Sequence, residues 1–465
     1  MALLKATTES GVVVGQPSEY QASTIFKGIP YAKPPVGDLR WRAPEKPEPW
    51  EGEYLAYEYG PIPMQNRAGG FYKREFYPID YPMSEDSLYL NVITPAEEPG
   101  EKLPVVLWIY GGSFVGGYAN KLETDGLAFA QKGIVYVSFN YRLGPFGFLT
   151  CNGLDAEAAS GKSGNYGLKD QLLALDWVHD NIAAFGGDPD HITIMGQSAG
   201  AMSVYDLMSS PLAKGKFVGA IMDSAGGPIP CMTQEEFATD YCNKFVDSLG
   251  MSIEEMRAAS TEELWGKWTE FMGANPPAPL PAQPVHGDDV LPEDLVETWR
   301  KAEFADVPVL IGTNANEDWS FVDDPNVHGM RDGFYSGTLA LCEKMAEACD
   351  SDAYMFHFAA AVPGEPNRGA WHSGEQMYVF RTLLRSYRPF EGIDLDLSNT
   401  MNSYWANFIK TGNPNGNGID GEKLPEWDSF KKEGECIMLD RGVEPHMIAV
   451  PEFDGVPRKL IDALG

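Results

Sequence analysis

The 465-residue sequence is short of positive charge, of cysteine and of long apolar runs, and each shortage narrows what the chain can do. Only 35 lysines and arginines stand against 67 acidic residues, for a formal charge of −32. Phosphate backbones and anionic membrane surfaces carry the same sign, so neither nucleic acid nor a membrane surface is an expected partner. The six cysteines (Cys151, Cys231, Cys242, Cys342, Cys349 and Cys436) include no C-x-x-C pair and no Cys/His cluster with zinc spacing. They read as reduced, structural thiols of a cytoplasmic protein, a secreted mature form whose leader has been removed being the alternative. No stretch approaches the 18 or so apolar residues of a membrane span. The first ten residues, MALLKATTES, lack the apolar core of a signal peptide. Internal repeats and low-complexity segments are absent too.

What the chain does have is core. Its 43% hydrophobic and 12% aromatic content is that of a globular protein with a large interior. Short apolar runs alternate with longer amphipathic stretches, the pattern of a mostly parallel sheet covered by helices. Strands are expected at 105–110, 134–139, 191–195, 217–222, 307–311 and 354–358, and helices at 168–185, 198–207 and 398–410. The segment 273–292 is rich in Pro and Ala and should run as an extended loop. With the helical stretch before it, it forms a candidate cap over 233–292, the alternative being a simple surface connection. The stretch 57–83 is aromatic-rich and irregular, a candidate second piece of rim.

One motif carries chemistry. Strand 191–195 runs into Gly196-Gln197-Ser198-Ala199-Gly200, and a helix follows. In that strand–turn–helix setting G-x-S-x-G is a nucleophile elbow. Its glycines are needed because a Cβ there would collide with neighbouring backbone, and the serine sits in a strained conformation. Ser198 is a weak nucleophile without a base. An oxyanion hole is also required, built from backbone N–H groups. Ala199 supplies one. Tyr110-Gly111-Gly112-Ser113-Phe114, after the 105–110 strand, makes Gly112 and Ser113 the candidates for the other two.

In this fold the order along the chain is Ser, acid, His. His328, His357, His372 and His446 follow Ser198 at sufficient distance. His357 lies within a strand pattern, His328 in a polar loop and His446 near the C-terminus. His372 lies in a loop beyond a strand, in Gly369-Ala-Trp-His-Ser-Gly-Glu375, and is the best placed. The acid should hang from the loop after strand 307–311, where spacing leaves Glu317 and Asp318 open.

At these residues the chain resembles the type-B carboxylesterases, the family of bacterial para-nitrobenzyl esterases and, more distantly, the cholinesterases. The resemblance spans nearly the whole chain: FKGIPYAKPPVGDLRW at 26–41, SEDSLYLNV at 84–92, YGGSF at 110–114, NYRLG at 140–144, GNYGLKDQ at 164–171, FGGDP at 185–189 and GQSAG at 196–200. It implies the α/β-hydrolase fold in one domain, with a small N-terminal sheet and a cap. It implies Glu317 as the acid and His372 as the base, and ion pairs Arg40–Glu85 and Arg142–Asp170. It also puts Ser224 behind the acid and Glu375 near the histidine. The implied reaction is hydrolysis of short- to medium-chain carboxylic esters through an acyl-enzyme, without metal or organic cofactor. Amides, lactones or thioesters on the same triad are the alternative. A non-catalytic binding module is a further one, disfavoured because all three triad positions are filled.

The departures are informative. Ser87 stands where the family usually has a cysteine, which removes a disulfide. Ser113 replaces a third glycine but keeps its N–H. Gln197 replaces the cholinesterase glutamate, and no tryptophan lies between Trp50 and Trp108, so choline esters are not expected. His286-Gly287 stands where the family usually shows Asp-Gly. Phe114, Tyr118, Gln197, Trp319 and Trp371 flank the site loops and are candidate pocket-wall residues, plain core packing being the alternative for each aromatic.

Overall fold

A computed structural model describes residues 2–19, 22–225, 235–276, 282–321 and 326–451. Cys231, residues 233–234 of the expected cap and 277–281 of the Pro-rich segment lie outside the described residues. Among those described, a small sheet joins β1 (Lys5–Thr8), β2 (Gly11–Val14) and β5 (Glu53–Leu55). The large sheet has eleven strands. In chain order they are β3 (Gln16–Pro17), β4 (Thr24–Pro30), β6 (Tyr89–Thr94), β7 (Leu103–Ile109), β8 (Val135–Phe139), β9 (Gly187–Gln197), β10 (Gly219–Asp223), β11 (Val309–Asn314), β12 (Ala353–Phe358), β13 (Glu435–Leu439) and β14 (His446–Ala449). Across the sheet they run 14-13-12-11-10-9-7-8-6-4-3. Strands β8 to β13 pair in parallel, and both flanks are antiparallel.

The apolar runs at β7, β8, β10, β11 and β12 are continuous because both faces of the sheet are covered. Side chains alternate along each strand. Val105, Leu107 and Ile109 therefore enter one core with Leu168, Leu172 and Leu175 of helix Tyr166–Asn181. Val106 and Trp108 enter a second core with Met401, Trp405 and Phe408 of helix Gly392–Thr411. Each buried Val, Leu or Ile contributes about 1.5–3 kcal/mol, so both layers hold the central strands fast.

The strand order also fixes where a site can be. From β7 the chain crosses to β8 on one side, and from β9 it crosses to β10 on the other. Beyond the carboxyl ends of β7 and β9 lies the crevice of a topological switch point. The Gly111–Ser113 loop and Ser198 follow those two ends.

Expected elements are present with shifted ends. The expected 198–207 helix begins one residue later, as Ala199–Ser209. The 398–410 helix is longer, Gly392–Thr411, and stops at Gly412 in the left-handed region (φ +72°). Stretch 57–83, expected to be irregular, contains a helix, Gly70–Phe76. Buried contacts made by Glu75 and Phe76 fix that helix in place of a strong intrinsic propensity. Helices Glu235–Leu249, Ile253–Ala258 and Thr261–Ala274 make a third apolar cluster, in which Tyr241, Phe245, Met256 and Trp268 pack with Trp41, Phe146 and Tyr166. After the Pro-rich run the chain turns inward: Val285, Val290 and Leu291 are buried, and Asn165 clamps both backbone groups of Val285 (2.6 and 2.9 Å).

Two buried ion pairs tie loops to this frame. Arg40 donates to both oxygens of Glu85 (2.7 and 2.5 Å) and to the carbonyls of Met256, Arg257 and Ala259. Arg142 donates its Nε, its Nη2 and its backbone N–H to Asp170 (2.8, 2.7 and 2.9 Å). Removing one partner of such a pair strands a buried charge. Asp170→Asn should therefore destabilise the fold by about 3–5 kcal/mol, read as a lower midpoint in chemical denaturation. The double change Arg142→Met/Asp170→Leu should recover most of that loss. A single-variant cost below about 1 kcal/mol would show the pair to be dispensable.

Candidate active site

Ser198 is the first consequence of the switch point. It sits at the N-terminus of helix Ala199–Ser209 with φ +57° and ψ −127°, a conformation costly for a residue with a Cβ. Its N–H donates to the Asp223 carbonyl (2.9 Å), and its carbonyl accepts from Met202 (2.9 Å). The motif's glycines are required sterically. A Cβ on Gly196 would lie 2.3 Å from the Gly200 oxygen, and one on Gly200 would lie 2.0 Å from the Ile109 oxygen.

The Gly-rich loop lies against this turn. A Cβ on Gly111 would come within 2.4 Å of the Gln197 oxygen and 2.8 Å of Ser198 Cβ. Gly112 has φ +131°, and Ser113 and Phe114 are both left-handed at +55° and +59°. Val115 and Gly116 both donate to the Gly112 carbonyl (3.0 and 2.9 Å), which closes the turn. Gln65 exchanges two hydrogen bonds with Gly117 (2.8 and 2.9 Å) and pins its far side. Gln65 was not foreseen; nothing in its sequence surroundings marks it. The N–H groups of Gly112, Ser113 and Ala199 make no hydrogen bond to other described residues, which leaves three donors beside Ser198.

His372 lies in the loop between β12 and helix Gln376–Val379 and is 4% exposed. Its Nδ1 is 2.6 Å from Glu317 Oε2. Oε1 of Glu317 accepts from Ser224 Oγ and from the Asn314 amide, each at 2.7 Å. Asp318 does something else. Its two oxygens accept from the Met330 and Arg331 amides (2.8 and 2.9 Å) at the start of helix Gly329–Ala348. The other candidate histidines make no hydrogen bond to Glu317 among the described residues. His357 is buried in β12, and burial pushes it down to about 4; His328 precedes the same helix, and His446 is exposed on β14.

Behind Glu317 lie two more buried carboxyls. Glu375 is pushed up to about 7, by burial first and by the Glu317 charge second; it accepts from Asn314 Nδ2. Asp223 is raised well above the usual carboxylate range, chiefly by burial. Asp223 was not anticipated, since its position at the end of β10 shows no signal in the sequence.

The remaining candidates divide. Gln197, 3% exposed, places its Nε2 3.2 Å from His372 Nε2. Trp319 is half-buried beside Gly369. Phe114 packs on Phe148, and Tyr118 stands between Tyr77 and Tyr81. Trp371 packs in the core, the alternative the sequence left open. It is fully buried, with Phe71 edge-on at 5.5 Å and the Arg388 guanidinium 4.2 Å above its ring. Arg388 in turn makes a buried two-point pair with Glu75 (3.0 and 2.9 Å). The rings that do flank the imidazole are Phe321 (5.7 Å) and Phe334 (5.4 Å), both missed in the sequence because each arrives from a different element.

A family model described as "Carboxylesterase family" matches residues 3–332 and 327–447. Among curated relatives, a para-nitrobenzyl esterase of Bacillus subtilis is 33% identical, over 94% of this chain and 93% of its own. A fumonisin B1 esterase of Sphingopyxis macrogoltabida is 32% identical, over 92% and 85%. Among solved structures, a thermophilic PNB esterase aligns with a TM-score of 0.83 at 29% identity, covering 100% of both chains. A Geobacillus stearothermophilus carboxylesterase aligns at 0.79 and 30%, covering 99% of both. With this α/β-hydrolase architecture and these matches, the chain belongs to the carboxylesterase family and is a carboxylic ester hydrolase.

Proposed function

We propose that Ser198, His372 and Glu317 form the catalytic triad and that the N–H groups of Gly112, Ser113 and Ala199 form the oxyanion hole. The observation that carries this reading is the buried His372–Glu317 bond beside the strained elbow serine. Glu317 holds the proton on Nδ1, so Nε2 keeps the lone pair that takes the Ser198 proton. The alkoxide oxygen attacks the ester carbonyl, and the three N–H groups receive the developing oxyanion, a contribution of about 2.7–4 kcal/mol for one such donor. His372 then returns the proton to the leaving alcohol. Water enters by the same route in reverse roles and frees the acid from Ser198.

Four features support further parts of the proposal. Phe321 and Phe334 flank the histidine, where the alcohol leaves, and favour apolar alcohol groups on small to medium esters. Gln197 in place of a carboxylate leaves no anion there for a choline head. The helical region 233–292, packed through its own cluster onto Trp41, Phe146 and Tyr166, is the proposed cap. Five free cysteines among the described residues fit a cytoplasmic setting, and among those residues no helix is long and apolar enough to cross a membrane.

Ser198→Ala should lower hydrolysis of para-nitrophenyl esters by at least about 10⁴-fold, and Glu317→Gln by about 10³–10⁴-fold. An acetate-to-laurate series should show the parent's turnover peaking at short to medium chains; equal rates in parent and Ser198→Ala would remove Ser198 from the mechanism. The buried Glu375 has its own signature. Unfolded, it ionises near 4.5; folded, near 7. The stability its neutral carboxyl contributes is whole below about pH 4.5 and is lost as pH rises through about 7. Glu375→Gln should therefore narrow the difference in denaturation midpoint between pH 5 and pH 8, and an unchanged difference would place that titration elsewhere.

A further inference from the structure

The carboxamide of Gln197 occupies the nitrogen that the mechanism needs. Gln197 is the last residue of β9, and its backbone is fixed by pairing with Asp223 of β10. Its Oε1 lies 3.1 Å from where a Cβ on Gly111 would be, so the side chain fills the space that Gly111 leaves open. Its Nε2 is 3.2 Å from His372 Nε2. The direction of that bond follows from the other side of the ring. Glu317 can only accept at Nδ1, so Nδ1 carries the proton and Nε2 is a bare lone pair. Only the NH₂ end of the amide can face it.

We propose that Gln197 is a positioning residue: in the resting enzyme it caps the Nε2 lone pair of His372, holds the unprotonated imidazole turned toward the elbow, and yields that lone pair to Ser198 Oγ as the reaction begins. This rests on the triad reading above. Nε2 has one lone pair, so the Gln197 hydrogen bond breaks as the Ser198 proton arrives. The new N–H bond forms from the broken O–H bond, and the amide itself exchanges nothing. A donor on Nε2 favours imidazole over imidazolium, because the charged ring has no lone pair there to offer. A carboxylate in the same place does the opposite, since it can only accept and so favours the charged ring. The charged and titratable groups around the ring come from every neighbouring element. They are Glu317 and Asp318 from the turn Glu317–Ser320, Arg331 from helix Gly329–Ala348, and His357 from β12. Glu375 precedes helix Gln376–Val379, Tyr72 comes from helix Gly70–Phe76, and Asp223 ends β10. They are unchanged by a substitution at 197, so a shift between variants belongs to the amide.

The test is the pH dependence of kcat/KM for para-nitrophenyl butyrate in the parent, Gln197→Leu and Gln197→Glu proteins, each with its Ser198→Ala control. The acidic limb should move to higher pH by about half a unit to one unit in Gln197→Leu, the worth of one hydrogen bond. In Gln197→Glu it should move further. Because Gln197→Glu keeps the size and shape of the side chain, it decides the matter alone should Gln197→Leu fail to fold. Serine-dependent turnover with superimposed acidic limbs and altered KM would make Gln197 a pocket residue and overturn the proposal. Turnover that survives Ser198→Ala would instead overturn the triad reading, so the two failures are distinct.

Discussion

Between β7 and β9 the backbones approach so closely that neither strand end can carry a side chain at its glycines. Gly200 faces the Ile109 carbonyl, and Gly111 faces Gln197 and Ser198, each at a distance a Cβ would violate. That contact sets the rest of the site. It puts the Gly-rich loop beside the elbow and leaves the N–H groups of Gly112, Ser113 and Ala199 without described partners. It also opens the space that the Gln197 amide fills. The approach is imposed at a cost, since Ser198, Ser113 and Phe114 all adopt positive φ, at roughly 1–3 kcal/mol each. Such strain persists only where the surroundings over-determine the backbone. Here the surroundings are two strands buried on both faces and a loop pinned at Gly117 by Gln65.

Electrostatics adds a second constraint at the next pair of strand ends. Glu317, Glu375 and Asp223 lie in one buried region, and three carboxylates cannot all be ionised there. The hydrogen bonds divide them. Glu317 accepts from Ser224, from the Asn314 amide and, at Nδ1, from His372. For Glu375 and Asp223 burial outweighs what partners offer, and both are pushed toward the neutral form. With Oε1 held by Ser224 and the Asn314 amide, Oε2 of Glu317 is left to accept from His372 Nδ1, which fixes the tautomer of the ring.

How much of this could be read in advance depends on the range of the interaction. The elbow was legible because its logic is local: strand, tight turn with two glycines, helix. The sheet was legible because strands covered on both faces are continuous apolar runs. Glu317 and Asp318 were not separable by spacing. What tells them apart is that Asp318 meets the amides of Met330 and Arg331, an attachment that depends on where helix Gly329–Ala348 begins in space. Phe321 and Phe334 were missed for the same reason. Trp371 stayed open between pocket wall and core because adjacency to His372 in the chain does not say which way a ring turns.

The turning of that ring has a physical cause in the helix at Gly70–Phe76. Arg388 and Glu75 are both almost wholly buried, and a guanidinium so enclosed needs a carboxylate in its plane and something polarisable over its face. Glu75 provides the first and the Trp371 ring the second. Phe71, on the same helix as Glu75, closes the ring's edge. Two contacts thus hold Trp371 inward, and His372, one residue later, is directed to Glu317 and Gln197. The aromatic stretch 57–83 therefore acts on the imidazole through the core. Its helix is short and weak by propensity, and it exists because the histidine loop and Arg388 bury against it.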